Sequence, residues 1–131
     1  MIHDDLADFF RSLPRDQAIM GLDLGTKTIG LAVSDRLLTI SSPLETIKRK
    51  KFGVDAAKLL EKELSNPRYR VRSIQIGTNT DAYQPIERQM LIMRAILTTL
   101  SQFNHPVSIL TKSDLIVRDL DILGPMAAKN L

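Results

Sequence analysis

Short apolar runs near the start of this 131-residue chain predict three consecutive strands. Residues 18–24 and 28–34 are apolar segments separated by residues 25–27, Gly-Thr-Lys, and this pattern predicts two strands joined by a tight turn. Residues 37–42 predict a third strand, which Pro43 is expected to end. Because the links are short, neighbouring strands must be antiparallel.

Two longer segments have apolar residues at helical spacing. Residues 54–64 predict a first helix. Pro85 begins a second helix, and Glu87 lies in its first turn, where an acid favours the helix dipole. This second helix is expected to continue to Phe103. Its inward face is predicted to consist of Ile86, Met90, Met93, Leu97 and Leu100.

The remaining segments predict shorter elements. Strands are expected over residues 73–77 and 107–111, and residues 4–12 predict a short helix. Ser113 is the predicted N-cap of a last helix, which Gly124-Pro125 is expected to end. The residues expected to face inward from these two helices are Leu6, Phe9, Phe10, Ile116, Leu120 and Leu123.

The composition narrows the class of protein. With 44% apolar and 25% charged residues, the chain suits one soluble domain, and we expect a cytoplasmic protein without a membrane partner. There is no cysteine, which excludes disulfides, thiolate zinc sites, a catalytic thiol and an iron–sulfur cluster held by cysteine. The net charge of +3 mildly favours contact with phosphate backbones.

One acid, Asp23, interrupts the first apolar run. A carboxylate inside a buried strand loses its hydration, so it needs a metal ion or hydrogen bonds in compensation. The alternative is that Asp23 lies near an exposed hairpin end and caps the turn that follows it. The residues alone leave both interpretations open.

A longer motif surrounds this acid. The stretch from Met20 to Thr46 contains Gly-Leu-Asp-Leu-Gly-Thr-Lys-Thr-Ile-Gly-Leu-Ala-Val-Ser-Asp and Ser-Ser-Pro-Leu-Glu-Thr-Ile. It resembles the N-terminus of the YqgF/RuvX family of Holliday-junction-resolvase-like proteins, and the resemblance covers roughly residues 5–58. The resemblance implies a ribonuclease H fold, a nuclease that processes ribosomal RNA precursors, and Asp23 as the first metal-binding carboxylate.

The second half departs from that family. It lacks the expected Gly-Leu-Pro-Leu-Asn type loop after the fourth strand and the Asp-Glu-Arg motif after the fifth. Residues 77–88 and 107–121 instead resemble radical S-adenosylmethionine proteins of the spore-photoproduct-lyase-like group, over roughly residues 59–131. That resemblance implies a partial (β/α) barrel with an iron–sulfur cluster, which a chain without cysteine cannot form.

The two resemblances together predict a chimera that was engineered, selected or fused naturally. The change of family is expected near Leu59 to Glu63, within a single domain built from about residues 1–60 and about residues 61–131. The expected fold is α/β and ribonuclease H-like, with three layers. Its mixed five-stranded sheet has the order 3-2-1-4-5, with strands 1–3 antiparallel, strands 4 and 5 parallel to strand 1, and helices on its faces.

A two-metal nuclease needs several carboxylates that converge on its ions. Besides Asp23, we consider Asp81 after the fourth strand and Asp114 after the fifth, with Mg²⁺ or Mn²⁺ as the possible ion. The alternatives are a loop-turn acid for Asp81 and a helix-start acid for Asp114. The cations that could contact nucleic acid, or simply form a solvated surface, are Lys27, Lys48, Arg49, Lys50 and Lys51.

Three functional readings follow. The favoured one is a folded chimeric module without an evolved activity and without a cofactor. The second is a weak divalent-metal-dependent nuclease or nucleic-acid-binding protein of YqgF/RuvX type. The third is a self-associating module that forms a homodimer through open strand edges. The Gly-Thr-Lys turn also leaves weak nucleotide binding open, because actin-like ATPases of the same fold bind phosphate at such a turn.

Overall fold

The computed structural model describes residues 5, 7–8, 11, 16–24, 28–48, 54–69 and 73–131. Most of the helix predicted over residues 4–12, including Leu6, Phe9 and Phe10, lies outside these residues. The described strands are β1 (Met20–Leu24), β2 (Thr28–Ser34), β3 (Ser41–Lys48), β4 (Ile74–Ile76) and β5 (Val107–Ile109). The described helices are α1 (Val54–Leu64), α2 (Glu87–Met90), α3 (Ile92–Gln102), a 3-10 helix (Asp114–Asp119) and α4 (Leu120–Ala128).

The five strands form one mixed sheet with the order β3-β2-β1-β4-β5. β2 pairs antiparallel with both β1 and β3, because short links join these strands in sequence. β4 lies parallel to β1, and β5 lies parallel to β4. Each of these parallel pairs needs a crossover, which α1 supplies before β4 and which α2 and α3 supply before β5. The predicted order and strand directions are confirmed, and the fold is ribonuclease H-like.

The core lies between the central strands and α3. Met20 and Leu22 of β1 alternate with residues that face the other side of the sheet, as do Ile74 and Ile76 of β4, and all four side chains are buried. Leu22 is aligned with Ile76 in the parallel register, so the two apolar pairs form one surface. The α3 residues buried in the same core are Ile92, Met93, Ile96, Leu97 and Leu100.

The third strand begins later than the sequence predicts. Residues 37–39 form turns and bends, because the Asp35 carboxylate accepts hydrogen bonds from the backbone N–H groups of Leu37, Thr39 and Ile40 at 3.2, 2.7 and 2.8 Å. Those bonds compete with a strand ladder. They also hold the pKa of Asp35 below its usual range, led by the bond from Ile40 and against the opposing effect of burial.

Pro43 lies inside β3 and does not end it, so that prediction is wrong. Pro43 is aligned with Ala32, where the register of β2 against β3 shifts between Leu31 and Ala32. Among the described strands, β3 is at the edge of the sheet, and an edge strand tolerates a proline because the missing N–H need not face a neighbour.

The helix predicted from Pro85 to Phe103 is two helices, α2 and α3. Leu91 separates them with a left-handed backbone, at φ 52°. The carboxylate of Glu87 accepts a hydrogen bond from the N–H of Met93 at 3.0 Å and so satisfies a donor at the start of α3. The sequence predicts only a favourable interaction of Glu87 with the helix dipole. In the structure Glu87 is buried and also holds the N–H of Met93.

Because of the break at Leu91, only part of the predicted apolar face is buried. Met93, Leu97 and Leu100 are buried as predicted. Ile86 and Met90 lie before the break, and their exposures of 40% and 36% show that they do not belong to the core. The prediction for these two residues is wrong, because a single helical periodicity does not continue through a left-handed residue.

The last helix is longer than predicted. The Ser113 hydroxyl accepts a hydrogen bond from the N–H of Leu115 at 3.3 Å, which confirms the N-cap, although the first turns are 3-10. α4 passes through Gly124-Pro125 and reaches Ala128, so the predicted end is wrong. Pro125 removes one backbone donor, but Met126 is buried against the core and favours the continued turn.

The inward face predicted for this last segment is correct in part. Ile116 and Leu123 are half-buried and pack against the core. Leu120 is 55% exposed, so its prediction is wrong. The change from 3-10 to α-helical geometry at this residue alters the spacing on which the prediction depended.

An ion network holds this segment against α2 and α3. Asp119 is fully buried and accepts hydrogen bonds from Tyr83 Oη at 3.1 Å, from Arg94 at 3.0 Å and from Arg118 at 3.0 and 2.8 Å. Burial opposes ionisation of Asp119, but these bonds outweigh it and hold the pKa below its usual range. Burial raises the pKa of Glu87, whose partners only partly offset that effect.

A histidine closes the other end of the core, beside the start of β5. His105 is buried, its Nδ1–H donates to the carbonyl oxygen of Pro106 at 2.9 Å, and its Nε2 accepts from the Tyr69 hydroxyl at 2.8 Å. Burial lowers the pKa of His105, against a smaller opposing effect of the bond to Pro106. The imidazole is therefore neutral near pH 7.

None of the helices within the described ranges has the length and apolarity needed to cross a membrane.

Candidate active site

Asp23 lies in the second half of β1, near the carboxyl end of the strand. Its antiparallel neighbour is Gly30 of β2, where an added Cβ would lie 3.5 Å from the Cβ of Asp23, an ordinary van der Waals distance. On its other side β1 pairs with β4, and parallel strands bring their carboxyl ends to the same edge of a sheet. The loop after β4 therefore lies beside Asp23.

The two oxygens of the Asp23 carboxylate have different environments. Oδ2 accepts a hydrogen bond from Asn79 Nδ2 at 3.2 Å. Oδ1 is buried and has no hydrogen-bond partner among the described residues. A buried acceptor without a donor costs roughly 1–3 kcal/mol, and more when it carries charge. An ion bound at this carboxylate would remove that cost, so Asp23 fits the role of a cation ligand.

The carboxylate of Asp81, the second predicted acid, already accepts hydrogen bonds from the protein. Its Oδ1 accepts from the N–H of Tyr83 at 2.9 Å and from Thr111 Oγ1 at 2.7 Å, and its Oδ2 accepts from the N–H of Lys112 at 2.9 Å. Burial opposes ionisation, but the bonds from Lys112, Thr111 and Tyr83 outweigh it and keep the pKa of Asp81 below its usual range. Asp81 therefore joins the loop after β4 to the segment after β5.

Asp114, the third predicted acid, is exposed in the first turn of the 3-10 helix, next to the Ser113 cap. In the part of the chain that the structure describes, no three acidic or histidine side chains are placed to hold one metal ion. The structure thus does not bring Asp23, Asp81 and Asp114 together as a group. A catalytic role for Asp81 or Asp114 stays a prediction.

The predicted phosphate contacts lie mostly beyond the described ranges. Lys48 is the last residue of β3, on the strand that pairs with β2. Lys27, Arg49, Lys50 and Lys51 lie outside the described residues, so their contact with nucleic acid stays a prediction.

Asn79 is the residue at this site that the sequence prediction missed. It belongs to the polar loop over residues 78–84, and its side chain carries no charge that would identify it as a site residue. The strand order could have indicated it, because the order 3-2-1-4-5 places the loop after β4 next to the carboxyl end of β1.

The donor set fits one hard divalent ion better than a two-ion centre. Mg²⁺ accepts oxygen ligands, keeps several waters, and is often held by one or two carboxylates together with substrate phosphates. Asp23 supplies one carboxylate in a partly buried position. A pair of ions about 4 Å apart needs more carboxylates than the described residues place here.

The fold and this strand-end carboxylate define a ribonuclease H-like protein with a candidate cation site. A family model for RuvX, described as a Holliday junction resolvase, matches residues 17–110. The match includes all five strands and both Asp23 and Asn79. The chain belongs to the RuvX family.

Curated relatives match just under half of the chain and carry a name that proposes a pre-16S rRNA nuclease. One from Roseobacter denitrificans is 59% identical over 59 residues, which are 45% of this chain and 36% of the relative. One from Cereibacter sphaeroides is 63% identical over 59 residues, 45% of this chain and 37% of the relative. One from Ruegeria sp. is 57% identical over 61 residues, 47% of this chain and 39% of the relative. The matched part thus spans less than two fifths of each of these relatives.

Among solved structures, T. thermophilus RuvC in complex with a Holliday junction substrate is similar to this chain with a TM-score of 0.49 and 15% sequence identity. The similarity covers 73% of this chain and 65% of that chain.

The comparisons do not support the predicted change of family near residues 59–63. The RuvX match continues through this region to residue 110, so one family accounts for the segments on both sides of it. The expected radical S-adenosylmethionine fragment over residues 59–131 and the reading as an engineered module without activity therefore have no support. The alternative reading, a nuclease of RuvX type, agrees better with the relatives.

Proposed function

We propose that this chain is a divalent-metal-dependent nuclease that acts on structured nucleic acid. The observation that carries the proposal is the Asp23 carboxylate, which has one buried oxygen without a partner at the end of a central strand. Membership of a family described as Holliday junction resolvases and relatives whose name proposes a pre-16S rRNA nuclease support it.

Asp23 would hold the ion, with Mg²⁺ or Mn²⁺ as the species of suitable hardness. When bound, such an ion activates a water molecule and stabilises the leaving oxygen of a phosphodiester. The contribution of the chain itself is to orient the carboxylate. Asp23 is paired with Gly30 of β2, and the preceding residue, Leu22, is also paired with Ile76 of β4, so the strand that carries Asp23 is held on both sides.

The substrate we propose is a folded RNA precursor, with branched DNA as the other substrate to be tested. The name of the curated relatives favours RNA, and the family description favours a four-way DNA junction. We further propose that Lys27 and the cations over residues 48–51 neutralise backbone phosphates of either substrate, in keeping with a net charge of +3.

The experiment is a cleavage assay with end-labelled RNA hairpins carrying single-stranded flanks and with a four-way DNA junction. Each substrate is incubated with Mg²⁺, Mn²⁺ or a chelator. Asp23→Asn should abolish the metal-dependent cleavage, because it removes the charge and keeps the shape. Glu61→Gln, at an exposed position of α1, is the matched control and should cleave as the parent does. Absence of cleavage by the parent, or equal cleavage by Asp23→Asn, would contradict the proposal.

Asp81→Asn and Asp114→Asn test the two further acids in the same assay. If either residue holds an ion, its variant should lose cleavage as completely as Asp23→Asn does. If Asp81 acts only through its bonds to Thr111 and Lys112, Asp81→Asn should lower the melting temperature and reduce cleavage only in part. If Asp114 is only an exposed acid at the start of the 3-10 helix, Asp114→Asn should cleave as the parent does.

A second candidate function is binding of nucleic acid without hydrolysis. It is favoured by the lack of a three-acid group among the described residues. Fluorescence anisotropy measures the affinity for the same substrates. A protein that only binds should show an affinity that falls steeply with salt and is the same for the parent and for Asp23→Asn, with no cleavage by either.

A further inference from the structure

We infer that Asn79 and Asp81 are a positioning pair for Asp23, in which Asn79 holds the carboxylate and Asp81 holds the loop that carries Asn79. The inference rests on the proposed function, because it assigns these two residues a role in presenting the carboxylate that would bind the ion. It also gives Asp81 a role different from the one that the sequence predicts.

The first contact is the hydrogen bond from Asn79 Nδ2 to Asp23 Oδ2, at 3.2 Å. An aspartate side chain at a strand end can rotate about two bonds, and a donor that holds one oxygen restricts both rotations. With Oδ2 held by Asn79, Oδ1 is held in its buried position. The amide is neutral, so it orients the carboxylate and leaves its negative charge available for a cation.

The loop that carries Asn79 is held at both of its ends. At the first end, Gly77 has φ +91°, and an added Cβ would lie 2.1 Å from the carbonyl oxygen of Leu110, so the backbone there passes directly against the segment after β5. At the other end, the Asp81 carboxylate accepts three hydrogen bonds, two of them from Thr111 and Lys112. Asn79 lies midway between these two fixed points.

The bonds of Asp81 also explain why it suits a supporting role. Both of its oxygens already accept protein donors, from Tyr83 and Thr111 on Oδ1 and from Lys112 on Oδ2. A metal ion at Asp81 would have to displace at least one of these donors. The same bonds join the carboxyl ends of β4 and β5, and the loop from β4 then reaches β1 through Asn79.

The test measures Mn²⁺ affinity from the electron paramagnetic resonance signal of free Mn²⁺, together with the χ1 rotamer of Asp23 from three-bond NMR couplings in the metal-free protein. Asn79→Leu keeps the approximate size and removes the donor. We expect about 10-fold weaker Mn²⁺ binding, as is typical when a partner of a ligating carboxylate is lost, and averaging of the Asp23 rotamer. Thr78→Val, at the exposed neighbouring position of the same loop, should change neither quantity.

A second pair of variants tests the Asp81 step. Thr111→Val removes a hydroxyl that donates to Asp81, and Thr98→Val removes a hydroxyl of the same kind on the exposed side of α3. We expect about threefold weaker Mn²⁺ binding for Thr111→Val, the effect of one neutral hydrogen bond, and no change for Thr98→Val. Melting curves of every variant ensure that affinities are compared between folded proteins.

The outcomes separate this inference from the proposed function. If the parent shows no Mn²⁺ binding, or if Asp23→Asn binds Mn²⁺ as the parent does, there is no metal site at Asp23. The proposed function and this inference then fail together. If binding depends on Asp23 but Asn79→Leu binds Mn²⁺ as the parent does, only the positioning role is wrong. Weaker binding by Asn79→Leu with an unchanged Asp23 rotamer would make Asn79 a direct ligand and would also overturn the positioning role.

Discussion

Asp119→Asn tests how strongly the ion network of the second half contributes to folding. The carboxylate of Asp119 is fully buried and accepts from Tyr83, Arg94 and Arg118. The asparagine keeps the shape and one acceptor, but it removes the charge that both guanidinium groups face. The removal of one partner from a buried ion pair typically costs about 3–5 kcal/mol.

The expected loss is at the lower end of that range. The side chains of Arg94 and Arg118 remain 35% and 25% exposed, so water can solvate part of the charge that loses its partner. We therefore expect Asp119→Asn to lower the free energy of unfolding by about 3 kcal/mol, which for a chain of this length lowers Tm by roughly 10 °C. Because the pKa of Asp119 is below its ordinary value of 3.8, this contribution is complete at pH 7 and is lost as the pH falls through the folded-state pKa.

The assay is urea denaturation at pH 7, followed by circular dichroism, with Asp121→Asn as the matched control. Asp121 binds the same Arg94 guanidinium, but its side chain is 58% exposed, so the control should unfold at nearly the same urea concentration as the parent. A loss below about 1 kcal/mol for Asp119→Asn, or equal shifts for the two variants, would refute the reasoning that burial makes this carboxylate important.

Three further predictions concern the core, the backbone and pH. Leu97 is fully buried, so Leu97→Ala should cost about 2–5 kcal/mol, whereas Lys58→Ala, at an exposed position of α1, should stay within about 0.5 kcal/mol in the same denaturation assay. Gly77→Ala should lower Tm clearly because of its positive φ and the backbone contact, whereas Gly124→Ala, with open space in α4, should raise it or leave it unchanged; the reverse order would contradict the structure. Burial lowers the pKa of His105 below 6.5, so the neutral imidazole stabilises the fold fully above pH 6.5, and this stabilisation is lost as the pH falls from there through the folded-state pKa. The free energy of unfolding of the parent should therefore fall between pH 7.5 and 5.5, and His105→Gln should remove the share of this fall that His105 causes. An unchanged pH dependence in His105→Gln would contradict this role of His105.

Periodicity predicted most of the fold because most elements depend on local pattern. The limits of α1 and the strand order were predicted, since the short links and crossovers leave few arrangements of five strands. Two of the errors lie where a side chain competes with the backbone pattern. The Asp35 carboxylate binds the N–H groups that a strand from residue 37 would need, and the Glu87 carboxylate binds the start of a helix that periodicity alone would not begin there.

The candidate site could be predicted only in part for a related reason. Asp23 is conspicuous because it is an acid in an apolar run. Whether Asp81 and Asp114 join it depends on the directions of side chains in loops, which periodicity does not report. Asp81 binds backbone and hydroxyl donors after β5, and Asn79 is the residue that reaches Asp23.

The sheet order has a consequence for how the protein assembles. β1, β2 and β3 are joined through short connections, so their pairing needs little loop closure and can form early. β4 must pass α1 before it lies beside β1, and this parallel pairing closes a much longer loop. Pulse-labelled hydrogen exchange during refolding should therefore protect the amides of β2 before those of β4. Until β4 and α3 arrive, Met20 and Leu22 lack the fully buried apolar residues of those elements, so an incompletely synthesised chain would leave the centre of its future core open to other proteins.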